Sequence, residues 1–270
     1  MTHLWTAVAC GWAASALLLF LLWLHQVRVK NATLVDVGWT VSLAGCGVLY
    51  AAIGPGEPVQ RALAGLLAAI WGLRLGWYLV RDRVLGHKAE DSRYQNLRAA
   101  WAPNANLQFA WFYQVQALAA VALSLPFAFI AWHPATALAP IQWVGIAVWT
   151  ASIILETVAD RQLAAFRNDP ANKGTTCRSG LWRYSRHPNY FFEWLVWVGL
   201  ALVASPTAPY GPWVWIAPLV MLILVTKVSG IPWAEMQSLK SRGEDFRRYQ
   251  RETSAFVPWF PAVGEHRKPS

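Results

Sequence analysis

The chain has 270 residues, of which 56% are hydrophobic and only 14% are charged. An ordinary soluble domain carries about 25% charged residues, so this composition excludes that class. The 18 tryptophans fit a membrane protein, because tryptophan favours the membrane–water interface. The net charge of +9 does not indicate a nucleic-acid partner. The basic residues lie in short loops between apolar segments, where they mark cytoplasmic loops and contact anionic lipid.

A helix needs about 20 residues to span a bilayer, and the chain has seven apolar segments of roughly that size. We interpret the first as a spanning helix and not a signal peptide, because it lacks a basic leading region and a small-residue cleavage site. The sequence therefore predicts an all-α integral membrane protein, a seven-transmembrane helix bundle forming a single domain over residues 1–270. The predicted spans are 4–24, 35–53, 62–80, 108–132, 141–159, 190–204 and 211–231.

Charge alternates along the loops between these spans. Most of the 23 Lys and Arg residues lie in the first, third and fifth loops and in the C-terminal tail. The positive-inside rule then places the N-terminus outside and the C-terminus in the cytoplasm. We expect a multi-pass protein of the cell inner (plasma) membrane.

Familiar cofactor and metal motifs do not occur in the sequence. Cys10, Cys46 and Cys177 form neither a CxxC pair nor a Cys/His cluster, so we predict no disulfide framework and no metal site. A glycine-rich dinucleotide fingerprint, a P-loop, HExxH and GxSxG are also missing. A nucleotide would therefore need a site of a different kind.

Ionisable side chains inside spanning segments are costly and indicate a functional site. Their helical spacing predicts that three helices each carry a polar stripe, and stripes that face one another would form a cleft open to the cytosol. The alternative is that each charge is interfacial or locally paired. The three stripes are Arg74, Tyr78 and Arg81; Glu156, Asp160 and Arg167; and Asn189, Glu193 and Trp197.

The segment 180–190, with the sequence GLWRYSRHPNY, is the densest polar cluster. Pro188 suits the first turn of a helix. A helix N-terminus beside Arg183 and Arg186 suits a phosphate or another anion. A basic interfacial loop with an aromatic belt is the alternative, but a belt needs neither His187 nor Asn189.

Seven pieces of the sequence match a known pattern: 36–39 (DVGW), 71–74 (WGLR), 90–94 (EDSRY), 156–162 (ETVADRQ), 180–190, Glu193 and 254–259 (SAFVPW). Taken together, they resemble the steroid 5α-reductase family, specifically its bacterial branch. The resemblance extends in order over nearly the whole chain. It implies a membrane enzyme that holds NADPH from the cytosolic side. Such an enzyme reduces the C=C bond of an α,β-unsaturated carbonyl in a lipophilic, steroid-like or other lipid substrate. Hydride goes to the β-carbon, and a protein acid stabilises the enolate oxygen.

The resemblance assigns residues 1–107 to the substrate and residues 108–270 to the cofactor. Five residues match family cofactor contacts, others lie in the same motif, and two are added on local chemistry alone. The matching contacts are Glu156, Asp160, Arg167, Asn189 and Glu193; those in the motif are Arg183, Tyr184 and Tyr190; the additions are Arg186 and His187.

The substrate half departs from the family pattern. Trp71 replaces a family tyrosine three residues before Arg74, and its indole N–H donates a hydrogen bond but gives up no proton. The catalytic candidates also include Asp36, Tyr78 and Tyr94. The proton donor is left open among Tyr78, Tyr94 and a protonated Asp36, whose pKa burial would raise.

A second interpretation is a membrane methyltransferase that uses S-adenosylmethionine and resembles the isoprenylcysteine carboxyl methyltransferases. Those proteins share the Arg-His-Pro-x-Tyr motif of residues 186–190. They tend to have fewer helices and lack the Glu156 and Asp160 stripe. Either interpretation predicts a lipophilic small-molecule substrate and contact with membrane lipid.

Overall fold

A computed structural model describes residues 2–85, 89–207 and 211–262. Within these ranges the regular elements are helical and no β-strand occurs, which confirms the predicted helical fold. The ten α-helices are α1 (Thr2–Val29), α2 (Leu34–Ile53), α3 (Pro58–Leu79), α4 (Ser92–Ala100), α5 (Ala105–Ala131), α6 (Pro140–Asn168), α7 (Pro188–Ala204), α8 (Ile216–Ile223), α9 (Ile231–Arg242) and α10 (Glu244–Glu252).

Short irregular helices extend or join several of these elements. A π-helical turn continues α3 over Val80–Leu85, and another continues α8 over Leu224–Val228. Tight 3₁₀ turns cover Pro170–Asn172, Gly180–Arg183 and Gly211–Trp215. The helix α4 lies inside what the sequence indicated only as a polar loop.

Six helical segments of the described ranges are long and apolar enough to cross a membrane. The remaining predicted span, 190–204, lies in α7, which has 17 residues and is shorter than the usual length of about 20. A multi-pass helical membrane protein is thus confirmed, whereas the count of seven and the orientation stay predictions. The six are His3–Val29, Leu34–Ile53, Pro58–Leu85, Ala105–Ala131, Pro140–Asn168 and Gly211–Arg242.

The first of two compact units comprises Met1–Gln142 and Ala204–Val214. Within it α5 packs against α1, α2 and α3. Tyr94, Phe109 and Tyr113 form a buried aromatic core in this unit together with Leu19. This core places α4, which carries Tyr94, beside the first helices.

The second compact unit comprises Trp143–Val203 and Trp215–Ser270. Its helices α6 and α7 approach closely where Gly145 faces Gly199. A Cβ atom at Gly199 would lie 2.7 Å from the backbone nitrogen of Trp149, so a larger residue would push the helices apart. The close approach brings the polar residues of α6 and α7 within hydrogen-bonding distance.

Candidate functional site

In the first unit, Asp36 in the opening turn of α2 accepts hydrogen bonds from three side chains. Its Oδ2 pairs with the guanidinium groups of Arg83 and Arg93, the latter at 2.7 Å. Its Oδ1 accepts from the Tyr94 hydroxyl, also at 2.7 Å. A carboxylate between two arginines is held in its charged form, so this geometry makes Asp36 an acceptor and not a proton donor.

The start of α4 is fixed to the start of α2 by further polar contacts. Asp91 caps α4 by accepting from the Arg93 backbone N–H at 2.9 Å. Its own N–H donates to Thr33 at 2.9 Å. Burial raises the pKa of Asp91, but the hydrogen bonds and charge of Arg93 outweigh it and leave that pKa below its usual value. The adjacent Glu90 accepts from the Ala32 N–H at 2.8 Å.

Tyr94 is buried, and burial followed by the nearby charge of Asp36 raises the pKa of its phenol. The phenol therefore keeps its proton and donates a hydrogen bond to Asp36. Of the three predicted proton donors, Tyr94 and Asp36 are thus bonded to each other.

The other catalytic candidates lie on α3. Trp71 is fully buried and packs edge-on against Trp39 of α2, with ring centroids 6.0 Å apart. The Arg74 guanidinium lies 5.8 Å from the centroid of the Tyr78 ring, a cation–π contact one helical turn apart. Because Trp39 follows Asp36 by three residues on α2, Tyr94 and Trp71 contact the same face of that helix.

In the second unit, a hydrogen bond joins the polar stripes of α6 and α7. Asn189 Nδ2 donates to Asp160 Oδ1 at 3.2 Å, and Glu193 accepts from the Trp197 indole at 3.0 Å. Glu156, Asp160 and Glu193 are all buried. The Asn189 Oδ1 atom is also buried and has no hydrogen-bond partner within the described part of the chain. Two of the three predicted stripes therefore meet here.

The segment before α7 is held by contacts to α6. Gly180 adopts a φ of +59°, and a Cβ atom there would lie 2.5 Å from the Gln162 side chain. Gln162 in turn accepts the Leu181 N–H at 2.9 Å. The Trp182 indole donates to the Ala159 carbonyl at 2.9 Å. Only glycine fits this approach, because a side chain would be strained by the positive φ and would also clash.

Arg186 joins the same segment to the C-terminal helices. Its guanidinium donates to Glu235 Oε1 of α9 at 2.7 Å and to the carbonyls of Thr253 at 2.6 Å and Gln250 at 3.0 Å. The sequence suggested Arg186 as a ligand of a cofactor anion. In the structure, its guanidinium instead forms hydrogen bonds with other residues of the protein. Glu235 was not anticipated, because the basic tail gave no periodic signal that linked it to residues 49 positions earlier.

His187 belongs to the same contact network. Its Nε2 lies 3.3 Å from Glu235 Oε1, and its ring stacks on Tyr190 with centroids 5.4 Å apart. Burial lowers the pKa of His187 below 6.5, and it outweighs the opposing effect of Glu235, while the Arg186 charge adds to the lowering. The neutral imidazole is therefore the form that the fold prefers.

We expect the free energy of unfolding to fall as the pH is lowered below 6.5, because the unfolded chain takes up a proton on His187 that the folded chain resists. The contribution is complete above pH 6.5 and is lost toward the folded-state pKa. Denaturant unfolding at several pH values should show a weaker pH dependence in His187→Gln. Some pH dependence should remain in this variant, because burial also lowers the pKa of His133. An unchanged pH dependence in the variant would refute this assignment.

Three predicted cofactor residues are exposed. Arg167 lies in the last turn of α6, and Arg183 and Tyr184 end the 3₁₀ turn before α7. Their positions leave them accessible to an anion or to a lipid headgroup. Within residues 2–85, 89–207 and 211–262, no three His, Cys, Asp or Glu side chains are grouped so that they would hold a metal ion.

Comparison with known proteins gives one relative and one family. The chain is 25% identical over 209 residues to Uncharacterized protein C594.04c of Schizosaccharomyces pombe (strain 972 / ATCC 24843). The alignment covers 68% of this chain and 60% of the yeast protein. No solved structure matches the chain. Residues 22–253 match the family described as Protein of unknown function (DUF1295). Since this match spans most of the chain, the protein belongs to the DUF1295 family, which is related to steroid 5α-reductase-like enzymes.

Proposed function

We propose that this protein is an NADPH-dependent reductase of the C=C bond of an α,β-unsaturated carbonyl in a lipophilic substrate. The observation that carries the proposal is the Asp160–Asn189 hydrogen bond between two buried polar stripes, beside a buried Asn189 Oδ1 that lacks a partner within the described residues. The family's relation to steroid 5α-reductase-like enzymes supports a reductase.

The residues in the second unit suit a dinucleotide. The carboxylates of Asp160 and Glu193 are acceptors for ribose hydroxyl groups. Asn189 Oδ1 offers an acceptor to an amide such as the nicotinamide carboxamide. The exposed Arg167 suits a phosphate through charge-assisted hydrogen bonds. When bound, NADPH would supply the hydride, and the protein would orient it.

Residues of the first unit would act on the substrate. The Arg74 guanidinium and the Trp71 indole N–H would stabilise negative charge on the carbonyl oxygen. Tyr78 and Tyr94 remain the candidate proton donors, and the Tyr94 hydroxyl donates a hydrogen bond to Asp36. Asp36 would instead orient Arg93 and Tyr94.

We expect Asn189→Ala, Glu193→Ala and Arg167→Ala each to weaken NADPH binding by about 1–2 kcal/mol, roughly five- to thirtyfold, because each removes a hydrogen-bonding or charged partner. Calorimetric titration of the purified protein with NADPH in detergent would measure the change. S-adenosylmethionine should give no binding heat in the same titration.

Arg247→Ala is the matched control for charge. Arg247 is an exposed arginine of α10 that pairs with the exposed Glu244, so its loss should leave NADPH binding unchanged. Unaltered binding in all three site variants would contradict the assigned site. Tight binding of S-adenosylmethionine without NADPH binding would support the methyltransferase interpretation instead.

A further inference from the structure

A groove of about 320 Å³ lies between α1 and α2 in the first unit. Small side chains create it, because they recur on one face of each helix and leave the space between the helices unfilled. Both faces belong to membrane-spanning segments. The volume falls in the range of small-molecule sites, which begins at about 300 Å³. The lining residues are Gly11, Ala14, Ser15, Leu18, Val41, Ser42, Gly45, Cys46 and Leu49.

The groove opens to the outside of the chain. Val41 and Gly45 on α2 and Ala14 on α1 are exposed. A Cβ atom built on Gly45 would meet no described atom within 4 Å. Exposed side chains in the middle of a spanning helix contact lipid, so a ligand would reach this groove sideways from the bilayer.

One polar group in the groove lacks a partner. Ser42 is 5% exposed, and its Oγ has no hydrogen-bond partner among the residues that the structure describes. The nearby Ser15 and Cys46 are instead in contact with each other, with Oγ and Sγ 3.6 Å apart. A buried hydroxyl without a hydrogen bond is costly in hydrocarbon. An oxygen atom on a ligand would remove this cost.

The depth of Ser42 decides which kind of ligand fits. Ser42 lies near the middle of α2, a helix of 20 residues that is about 30 Å long, as thick as the hydrocarbon core. At that depth the acyl chain of a phospholipid offers only CH₂ groups, whereas its ester oxygens lie at the interface. An acyl chain would fill the volume but would leave Ser42 without a partner.

We propose that this groove binds the lipophilic carbonyl substrate on its way from the bilayer, with the carbonyl oxygen accepting a hydrogen bond from Ser42. This inference rests on the proposed function for the class of substrate. It adds an entry site on α1 and α2 to the predicted catalytic residues of α3.

Photolabelling tests the groove without the chemical reaction. The probe is a diazirine derivative of a 3-keto-4-ene steroid, added to the protein in phosphatidylcholine vesicles, and mass spectrometry identifies the labelled peptides. We expect labelling within residues 11–18 and 41–49, and competition by the unlabelled steroid. A phosphatidylcholine with a diazirine in its acyl chain serves as the second arm, and its labelling there should not be competed by other phosphatidylcholine.

Gly45→Leu should abolish probe labelling, because a Cβ atom at Gly45 meets no described atom within 4 Å and the leucine side chain would take up space in the groove. Ser42→Ala should weaken probe binding about fivefold, since one hydrogen bond is lost. Ser42→Ala should also raise the melting temperature of the ligand-free protein, which a merely structural hydroxyl would not do. Ala13→Leu, at an exposed position of α1 outside the groove, is the control and should label like the parent protein.

Undiminished labelling of Gly45→Leu would overturn the inference. So would labelling of the groove that phosphatidylcholine reduces but the unlabelled steroid does not. If groove labelling is missing but enone reduction by NADPH persists, the groove alone is refuted. If labelling is present but NADPH does not bind, the proposed reductase function is the part that fails.

Discussion

Asp36→Asn should lower the free energy of unfolding by about 2–3 kcal/mol. This is less than the usual cost of breaking a fully buried ion pair, because the site is partly exposed. The substitution removes the carboxylate charge between Arg83 and Arg93, and Asp91 is then the carboxylate that both arginines still contact. The neutral amide also presents an N–H group in place of one of the two acceptor oxygens. The contacts between the start of α2 and α4 should therefore loosen first.

Denaturant unfolding of the purified protein, followed by tryptophan fluorescence, would measure this change. Glu244→Gln is the matched control, because Glu244 also contacts two arginines, Arg247 and Arg251, but its side chain is 68% exposed. Exposed ion pairs contribute little, so this variant should unfold like the parent protein. Equal losses in the two variants would show that burial does not set the strength of the Asp36 contacts.

Arg186→Ala should cost about 3 kcal/mol of the free energy of unfolding, because the side chain is largely buried and its removal leaves the partly buried Glu235 carboxylate without its arginine. Glu235 would keep its contacts with His187 and Gln250, and the carbonyls of Gln250 and Thr253 would lose the Arg186 donor. The C-terminal helices α9 and α10 should separate from the segment before α7.

Limited proteolysis after residue 230, together with denaturant unfolding, would detect this separation. Arg183→Ala is the control, since Arg183 lies three residues earlier and is exposed. A stable Arg186→Ala protein that had lost NADPH binding would reverse our interpretation and return Arg186 to the role of an anion ligand. Loss of stability in both variants would point to the turn itself and not to the Glu235 contact.

The positions of the long helices could be predicted from the sequence because burial in lipid requires continuous apolar segments. The predicted span 35–53 corresponds to α2 (Leu34–Ile53), and 108–132 corresponds to α5 (Ala105–Ala131). Helical spacing likewise placed Asp160 on one face of α6 and Asn189 on one face of α7. These are local properties, because a periodic pattern fixes which side of a helix a residue lies on.

The partners of the charged residues were decided only by the tertiary structure. Asp36 contacts Arg83 and Arg93, which are 47 and 57 positions away, and Arg186 contacts Glu235 across 49 positions. A helical period shows which face carries a charge, but it does not show which of several arginines will be folded against that face. The sequence by itself determined a helical membrane protein with polar stripes, whereas the packing of distant segments determined which charges hold the fold and which remain exposed.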